Sequence, residues 1–535
     1  MKILSIIPTC EGSEQLPNKN FRVIGGKPLI YYVIRNAQTS EFITDVLVTS
    51  NSSSVLTIAK QMGVLVHKRD EALANKEVAL EPVIYDACLH VDLSMFDYVV
   101  IMQSISPTLS SKTLDDAIRT CIYGNWDTVL SVINKAHFYW QGSKTSPIPF
   151  HTKRTSRHKL PPFYGETGAF CITKTKFIKK NNRFGDKVML YELCSDEAVE
   201  IYSFGDLKLA ENILCKKKVA FYVNGGNEIG LGHIYRVKEL ADEFYSKPDI
   251  YYDTTQTKKE SFGDTTHTLI PVDGNKGLHN ALKYRQYDIF INDVLSTSTE
   301  YMMSLKNMQA NSKIINFEDE GKGADMADLV INDLYEGAAK KNIRYGHMYF
   351  LASKLFLLTT PIAIKPIVEN VLITFGGADP QNYTDRLLGI IRDMDYLHFY
   401  VVMGGAKHGA TELMQIHGNL SHVDMMHNIT NMPEIISKCD IAISSRGRTG
   451  FELALMGIPT ISLAQHERED KHSFIDSRHG FTYLGINPSD DFIRYALEKL
   501  ANTTIEERLG LQKKMLNVDL RNGRKNIMSL IEQLD

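Results

Sequence analysis

A loop able to bind phosphate follows the first apolar run of the chain. In the stretch KILSIIPTCEGSEQLPNKN, residues 2–20, this loop contains Gly12 and Ser13, and Lys19 comes shortly after it. Backbone N–H groups beside a glycine can approach phosphate oxygens, and a lysine supplies a point charge for a nucleoside triphosphate. Because open parallel sheets bind ligands at the carboxyl ends of their strands, the position predicts a nucleotide site. An ordinary surface loop is the alternative interpretation of the same residues.

A second stretch of the same type, KVAFYVNGGNEIGLGHIYR, begins at residue 218. Gly230 and Gly232 permit close approach of the backbone at the start of a helix, whose N-terminus attracts phosphate or developing negative charge. His233 lies in the first turn, where an imidazole can transfer a proton near neutral pH. A structural histidine is the alternative. Two such starts in one chain predict a fusion of two nucleotide-binding enzymes.

Length and composition favour a large globular protein. The chain has 535 residues, and domains of roughly 100 to 200 residues predict about three of them. Lys and Arg total 60 against 63 for Asp and Glu, so neither nucleic acid nor an anionic membrane is expected as a partner. The seven cysteines lack paired spacing, and no apolar run approaches the ~18 residues of a membrane span. We therefore expect a reduced, cytoplasmic protein.

Short apolar runs alternate with helical patterns through residues 1–215. This alternation predicts a parallel sheet covered on both faces. The segment from Gln141 to Pro162 is rich in Ser, Pro and basic residues and shows neither period, which predicts a long exposed loop. The predicted strands are Ile3–Ile7, Asp45–Thr49, Val64–Val66, Tyr98–Met102 and Thr128–Val132, and the predicted helices are Leu29–Asn36, Val55–Met62, Pro82–Leu89 and Thr113–Tyr123.

The same alternation resumes after a boundary near Cys215. A second boundary is predicted in the apolar, Pro-containing stretch Leu357 to Pro366, which gives domains of residues 1–215, 216–362 and 363–535. Two consecutive α/β domains, each with a Gly-rich turn, predict a two-lobed enzyme with its site in the cleft between the lobes. The predicted strands are Val219–Val223, Asp288–Asp293, Lys313–Phe317, Leu329–Ile331, Asn370–Phe375, His398–Met403, Asp440–Ser444 and Thr460–Leu463.

A set of motifs in residues 1–214 occurs in the order typical of one enzyme family. The set comprises residues 6–37 (IIPTCEGSEQLPNKNFRVIGGKPLIYYVIRNA), Val48 to Ser52, Met102 to Pro107, Tyr164 to Phe170 and Glu200 to Tyr202. It resembles the acylneuraminate cytidylyltransferases, the CMP-sugar synthetases for nonulosonic acids. The resemblance implies a Rossmann-like nucleotidyltransferase fold, attack of a sugar hydroxyl on the α-phosphate of CTP, and Mg²⁺ as cofactor.

This resemblance also implies roles for individual residues. Lys19 would neutralise charge on the nucleotide together with Mg²⁺, for which Glu200 is the implied ligand. Gln103 and Glu166 would position the sugar. The residues implied in nucleotide binding are Gly12, Ser13, Asn20 and Gln103.

Several residues depart from the cytidylyltransferase pattern at the CTP and metal positions. They are Cys10 and Glu14 in the loop, Asn51, Leu109, and Tyr202, which stands where a second acid would hold the metal. Removal of a charge-assisted hydrogen bond to a triphosphate costs roughly 1.5 to 3 kcal/mol. Because Mg²⁺ that bridges phosphates is usually held by one or two carboxylates, Glu200 is left as the single acid. A domain kept as a non-catalytic scaffold is therefore the alternative hypothesis.

A second set of motifs extends over residues 217–480. It comprises Ile229 to His233 with Arg236, Asp293, Asn316 to Asp319, Thr374 to Pro380 and Ser445 to Glu452. This set resembles the UDP-sugar hydrolases of pseudaminic acid synthesis, which release a free diacetamido-trideoxyhexose from UDP. The resemblance implies the two-lobed glycosyltransferase-B fold, a pair of Rossmann-type domains.

This second resemblance implies that His233 acts on the attacking water. Gly376 and Gly377 would lie against the diphosphate, and Glu452 would accept hydrogen bonds from the ribose hydroxyls. The remaining implied contacts are Thr449 with the nucleotide, and Asn224, Gly232, Arg236 and Asp293 with the substrate. Asn224 replaces the family's usual aspartate, so that position cannot hold a charge.

The leading hypothesis is a bifunctional enzyme of nonulosonic acid synthesis, with CTP and a UDP-sugar as substrates. The N-terminal domain would transfer CMP to an acylneuraminate-type sugar acid, and the C-terminal half would hydrolyse a UDP-diacetamido-trideoxyhexose. Two alternatives stay open. The C-terminal half could be a glycosyltransferase, since the two-lobed fold serves both chemistries, and the N-terminal domain could be a scaffold. Related synthetases are often dimers, so a homodimer is one expected assembly.

Overall fold

The computed structural model describes residues 1–10, 16–74, 77–150, 153–226, 230–338 and 340–534. The chain divides into two compact units, unit 1 (Met1–Lys216) and unit 2 (Lys217–Asp535). Both units are α/β in architecture. Within the described ranges, no helix is long and apolar enough to cross a membrane.

Unit 1 is built on one seven-stranded sheet, with the pairs β2-β3 and β8-β9 outside it. The strands of unit 1 are β1 (Ile3–Pro8), β2 (Val23–Ile24), β3 (Lys27–Pro28), β4 (Asp45–Ser50), β5 (Leu65–Lys68), β6 (Tyr98–Ile101), β7 (Thr128–Asn134), β8 (Trp140–Ser143), β9 (Ser146–Pro149), β10 (Tyr164–Lys174) and β11 (Val188–Glu192). Its α-helices are α1 (Leu29–Thr39), α2 (Ser53–Gln61), α3 (Leu80–Leu89), α4 (Ser111–Tyr123) and α5 (Phe204–Leu214). The sheet order is β11-β7-β10-β6-β1-β4-β5.

One strand of this sheet departs from the predicted parallel arrangement. Strand β10 pairs antiparallel with both β6 and β7, whereas the other neighbouring pairs are parallel. The chain passes from β7 to β10 through a hairpin instead of a helix, and a strand that returns without a crossover helix pairs antiparallel. The prediction of an all-parallel sheet is therefore wrong at β10.

The segment predicted as a loop from Gln141 to Pro162 contains regular structure. Strands β8 and β9 form an exposed antiparallel ribbon, with Trp140 opposite Pro149 and Ser143 opposite Ser146. The predicted exposure of these strands is confirmed, but the predicted absence of regular structure is wrong. Prolines hide the pattern, because they cannot donate to a strand ladder and are tolerated only at its edges.

Unit 2 contains two parallel sheets, each forming one lobe. The first has β12 (Val219–Val223), β13 (Asp249–Asp253), β14 (Thr268–Val272), β15 (Ile289–Asp293), β16 (Lys313–Phe317), β17 (Leu329–Asn332) and β18 (Ile343–Tyr345), in the order β14-β13-β12-β15-β16-β17-β18. The second has β19 (Asn370–Thr374), β20 (His398–Met403), β21 (Val423–His427), β22 (Ile441–Ser445), β23 (Thr460–Ala464) and β24 (Phe481–Ile486), in the order β21-β20-β19-β22-β23-β24.

Helices connect the strands of both lobes. In the first lobe these are α6 (Gly232–Ala241), α7 (Gly274–Leu282) and α8 (Thr299–Met308). The second lobe and the C-terminal region contain α9 (Tyr383–Ile390), α10 (Ala410–His417), α11 (Met432–Ile436), α12 (Thr449–Met456), α13 (Glu467–Asp470), α14 (Asp490–Ala501), α15 (Ile505–Leu516) and α16 (Gly523–Glu532). The predicted α/β class, with one α/β domain before two parallel-sheet lobes, is confirmed.

The strand order places a ligand edge in each lobe of unit 2. Strand β12 lies between β13 and β15, so the chain continues from β12 to one side of the sheet and later returns to add β15 on the other side. Strand β19 lies in the same way between β20 and β22. Such switch points open a crevice at the carboxyl ends of the strands. Helix α6 follows β12 at this edge, and its buried face carries two polar residues, His233 and Arg236, among Ile234 and Val237.

The last helix returns to the first lobe. In α16, Ile527 and Ile531 pack into the same apolar cluster as Val219 and Phe221 of β12. Arg524 binds the carboxylates of Glu239 and Glu243 on the first lobe. The domain predicted from 363 to 535 therefore ends in a helix that packs with the preceding lobe, a long-range contact that local sequence patterns do not encode.

The close fit of α16 gives a test of this packing. A Cβ added to Gly523 would lie 1.9 Å from the carbonyl oxygen of Phe350, so Gly523→Ala is expected to destabilise unit 2 by about 1 to 3 kcal/mol. Gly510 in α15 has nothing within 4 Å of such a Cβ, so Gly510→Ala is expected to be neutral or stabilising by up to about 1 kcal/mol. Thermal unfolding of the two variants measures the difference, and equal midpoints would contradict the described packing.

Candidate functional sites

The predicted phosphate loop of unit 1 is only partly described. Gly12, Ser13 and Glu14 lie outside the described residues. Asn20 is buried, and its amide group donates to Thr9 Oγ1 (3.2 Å) and to the carbonyl oxygen of Cys10 (3.0 Å). Its amide oxygen accepts a hydrogen bond from Ser104 (2.9 Å). Asn20 therefore connects the end of β1 to the segment after β6, and both polar atoms of its side chain form hydrogen bonds within the protein.

Lys19 is half-buried at the edge of this region. Its Nζ lies 5.6 Å from the centre of the Tyr202 ring. Burial lowers the pKa of Lys19, while the nearby Cys10 and Glu200 act in the opposite direction. A desolvated ammonium group beside a carboxylate suits the binding of an anion, because its interaction with charge is screened less than at the surface.

Three of the residues predicted in unit 1 share one cavity. Gln103, Glu166 and Glu200 line a space of about 110 Å³ together with Gly168 and Arg183. The backbone N–H of Gln103 donates to the carbonyl oxygen of Gly168 (2.9 Å), and the N–H of Gly168 donates to Glu200 Oε1 (2.9 Å). The sequence motifs from β6, β10 and residue 200 thus meet in one cavity.

The residues of this cavity do not form a usual magnesium site. Glu200 Oε1 accepts hydrogen bonds from the Gly168 N–H and, at 3.4 Å, from the hydroxyl of Tyr202. No group of three or more His, Cys, Asp or Glu side chains that could hold a metal occurs in the described parts of the chain. Of the two carboxylates in the cavity, Glu166 faces Arg183 at 3.9 Å and Glu200 has one engaged oxygen, so these side chains alone do not fit a protein-held Mg²⁺ ion.

Two arginines near this region were not predicted from the sequence. Arg183 lines the cavity, with Nε 3.3 Å from the Glu81 carboxylate and Nη2 3.9 Å from that of Glu166. Arg69 is buried after β5 and donates to the carbonyl oxygen of Thr49 (2.9 Å). Burial lowers the pKa of Arg69, against the opposing influence of Cys10 and Asp86. A basic residue directly after a strand was the available signal for Arg69.

In unit 2, His233 is held by an aspartate at the end of the neighbouring strand. Its Nδ1 lies 2.5 Å from Oδ1 of Asp293, the last residue of β15, and both side chains are buried. The N–H of Asn224 donates to the carbonyl oxygen of Asp293 (3.3 Å), which joins the ends of β12 and β15. Burial opposes ionisation of Asp293, but Arg236 and His233 outweigh it and lower its pKa.

Arg236 is engaged with carboxylates throughout its guanidinium group. Its Nε and Nη2 donate to Asp293 at 2.7 and 2.6 Å, and its Nη1 pairs with Glu318 and, at 3.4 Å, with Asp333. The guanidinium also lies over the ring of Phe317, 5.0 Å from its centre. All three nitrogens of the Arg236 guanidinium thus have carboxylate partners, and the residue neutralises buried acids.

Two arginines from the second lobe complete this network. Arg448, directly before α12, donates to Asp333 (2.8 Å) and lies 3.4 Å from Glu318. Arg468 donates to the backbone carbonyl oxygen of Glu318 (2.9 Å). We name Arg236, Asp293, Glu318, Asp333 and Arg448 the ion cluster. The ion cluster joins the two lobes, because Arg448 of the second lobe pairs with Glu318 and Asp333 of the first.

A cavity of about 360 Å³ lies beside the ion cluster. The predicted residues that line it are Gly232, Arg236, Gly376, Gly377, Thr449 and Glu452. Gly232 begins α6 and Thr449 begins α12, so the N-termini of two helices open into one space. Helix N-termini present unpaired N–H groups and a partial positive charge, which favour bound phosphate.

The glycine loop on the second lobe lies close to the backbone around it. Gly376 has a φ of +70°, a conformation that residues with a side chain rarely adopt. A Cβ on Gly404 would lie 2.3 Å from the carbonyl oxygen of Gly376. The missing side chains leave the backbone accessible to a ligand at this wall of the cavity.

Glu452 is a half-buried acid in the first turn of α12. Burial raises its pKa to about 7; Arg448 opposes this shift and Glu239 adds to it. Asn224, the remaining predicted contact, is buried, and its Oδ1 makes no hydrogen bond with the described residues. Glu318 and Arg448 had no role predicted from the sequence, although both occur within the quoted motifs. The left-handed φ of +50° at Glu318 is a structural signal that the sequence does not show.

Comparison with known proteins gives a family match for part of the chain. Residues 4–225 match the cytidylyltransferase family model, a range that includes most of unit 1 and the first residues of unit 2. N-acylneuraminate cytidylyltransferase A of Danio rerio is 28% identical over 217 residues, covering 39% of this chain and 50% of that protein. The chain spans about half the length of several of the curated relatives that it matches.

Other similarities extend beyond unit 1. The spore coat polysaccharide biosynthesis protein SpsG of Bacillus subtilis is 24% identical over 304 residues, covering 53% of this chain and 89% of SpsG. This alignment is longer than unit 1 and therefore includes part of unit 2. The crystal structure of Acinetobacter baumannii MurG aligns with a TM-score of 0.44 at 12% identity, covering 59% of this chain and 99% of MurG.

Proposed function

We propose that the protein is bifunctional, with CMP transfer in unit 1 and hydrolysis of a UDP-sugar in unit 2. The observation that carries the first activity is the cavity shared by Gln103, Glu166 and Glu200 within the range that matches the cytidylyltransferase family model. The observation that carries the second is the buried pair of His233 and Asp293 beside a cavity into which two helix N-termini open.

In unit 1, a hydroxyl group of a nonulosonic acid would attack the α-phosphorus of CTP. A bond forms between the sugar oxygen and phosphorus, and pyrophosphate leaves with the electron pair. Lys19 would neutralise charge on the phosphates, and Gln103 and Glu166 would orient the sugar. The name of the Danio rerio relative supports a sugar acid of the acylneuraminate type. Because the acids present do not fit a held metal, no step is assigned to Mg²⁺.

In unit 2, UDP would bind in the cavity of about 360 Å³ into which the N-termini of α6 and α12 open, named here the nucleotide cavity. Gly376, Gly377 and the first turns of α6 and α12 would surround the diphosphate, and Glu452 would accept hydrogen bonds from the ribose hydroxyls. Asp293 orients the imidazole of His233, whose Nε2 would take a proton from water. The water oxygen bonds to the anomeric carbon, the bond from that carbon to the diphosphate breaks, and UDP leaves.

Transfer to a sugar acceptor is the second candidate for unit 2. A further cavity of about 630 Å³ shares Tyr235, Lys238 and Asn428 with the nucleotide cavity. Gln256, Ser261 and Lys258 are among the polar residues that line it. A space of this size next to the nucleotide cavity favours a bound acceptor, whereas hydrolysis needs only water at the anomeric carbon.

The first prediction concerns CMP transfer. The wild-type protein is expected to release pyrophosphate from CTP when a nonulosonic acid is present. Lys19→Ala is expected to lower the rate roughly 10- to 100-fold, because the phosphates then lack a charge-assisted hydrogen bond from the ammonium group. Lys27→Ala, at an exposed position outside the cavity, serves as the control and should match the wild type. If no acid in a panel supports pyrophosphate release and calorimetry detects no CTP binding, unit 1 is a scaffold.

The second prediction concerns UDP-sugar hydrolysis. His233→Ala is expected to lower UDP release at least about 100-fold, as loss of a general base does, and to leave CMP transfer unchanged. His398→Ala is the matched control, because His398 also faces an aspartate, Asp424 at 3.0 Å, but lies outside the cavity. Chromatography of UDP and free sugar measures the reaction. UDP release that requires an added acceptor sugar would instead identify unit 2 as a transferase.

A further inference from the structure

Glu318 faces the base nitrogen of His233. Its Oε2 lies 3.9 Å from His233 Nε2, on the side of the ring opposite Asp293. Both side chains are buried. Their neighbours Gly232, Arg236 and Arg448 line the nucleotide cavity. The imidazole thus lies between two carboxylates, next to residues that line the cavity.

The Glu318 carboxylate is held in place and kept ionised. Burial by itself raises the pKa of this carboxyl group, but Arg236, His233 and Arg448 outweigh burial and lower its pKa. Its backbone N–H donates to the carbonyl oxygen of Ile331 (2.9 Å), and its own carbonyl oxygen accepts from Arg468 (2.9 Å). The left-handed φ of +50° at this glutamate is strained, and such strain persists where surrounding contacts fix the residue.

The contact with Asp293 sets the tautomer of His233. A carboxylate can only accept hydrogen bonds, so the 2.5 Å contact requires a proton on Nδ1 and leaves a lone pair on Nε2 of the neutral ring. Arg236 Nη2 also lies 3.0 Å from Nδ1, but an unprotonated Nδ1 would place its lone pair against those of Asp293 Oδ1 at 2.5 Å, so Nδ1 keeps its proton and Nη2 donates to Asp293 Oδ1 at 2.6 Å. The Nε2 lone pair therefore faces an ionised carboxylate at a distance too long for a direct hydrogen bond.

We propose that Glu318 and His233 together bind the water that attacks the sugar, an inference that rests on the proposed hydrolysis in unit 2. A water molecule between the two groups donates one hydrogen to Nε2 and the other to Glu318 Oε2, at ordinary hydrogen-bond lengths. With both hydrogens engaged, its lone pairs point away from both acceptors, available to the anomeric carbon. Glu318 thereby selects one orientation of the nucleophile.

The reaction balances with these groups alone. The water oxygen forms a bond to the anomeric carbon, and the bond from that carbon to the diphosphate oxygen breaks, with the electron pair going to UDP. One water proton moves to His233 Nε2. The other stays on the new sugar hydroxyl, still hydrogen-bonded to Glu318. Free sugar and UDP are the products.

The test compares Glu318→Gln with Asp333→Asn. Asp333 shares Arg236 and Arg448 with Glu318, and among the described contacts it makes no ion pair with His233. Glu318→Gln is expected to lower kcat for UDP-sugar hydrolysis roughly 10- to 100-fold. The kcat loss of Asp333→Asn should be at least about tenfold smaller. Calorimetric UDP affinity should change less than about threefold in Glu318→Gln, because Glu318 does not line the cavity.

Different results would contradict different parts of the account. Glu318→Gln with wild-type kcat would overturn the water-binding role while leaving hydrolysis by His233 intact. An equal loss of kcat in Asp333→Asn would also overturn it, since the ion cluster as a whole would then be responsible. A wild-type protein that releases no UDP would refute the proposed hydrolysis and this inference with it. If the glutamine variant does not fold, Glu318→Asp takes its place: kcat should fall while UDP affinity stays near the wild-type value, and an unchanged kcat would overturn the role.

Discussion

The burial of Arg236 with three carboxylates is the constraint on which unit 2 depends. Each of these charges would be very costly alone in the interior, and removing one partner of a buried pair typically costs about 3 to 5 kcal/mol. Together, Asp293, Glu318 and Asp333 face Arg236 and Arg448 and satisfy one another. The carboxylates come from the ends of three neighbouring parallel strands, β15, β16 and β17. The ion cluster therefore assembles only when these three strands lie side by side in the sheet.

This cluster links structure to chemistry in two ways. It fixes the imidazole of His233, because the same Asp293 that binds Arg236 also accepts from Nδ1. It also connects the lobes, because Arg448 stands directly before the helix whose N-terminus opens into the nucleotide cavity. A diphosphate bound in this cavity would lie next to the ion cluster, whose charged groups extend to Nε2 of His233. Unit 1 has no comparable cluster in its described residues, and its cavity relies on Glu166, Glu200 and Arg183.

Much of this arrangement could be predicted from local sequence patterns. The apolar runs place most strands correctly, and the glycine motifs identify the starts of α6 and the cavity walls at Gly376 and Thr449. The direction of β10 and the return of α16 to the first lobe could not be predicted, because both depend on contacts distant in sequence. The ion cluster is of the same kind: Arg236 meets Asp293 57 residues away and Glu318 82 residues away, and Arg448 meets Glu318 130 residues away. Patterns with a period of two or 3.6 residues carry no information on such pairs.

The central claim is that a water molecule held at His233 attacks the sugar carbon of a UDP-sugar. Hydrolysis in ¹⁸O-labelled water, followed by mass spectrometry of the released UDP, tests it most directly. The account predicts UDP without the label, because the bond between the anomeric carbon and the diphosphate oxygen breaks and the water oxygen stays with the sugar. UDP that carries ¹⁸O would show attack at phosphorus and would contradict the account, as would UDP released only after an acceptor sugar is added.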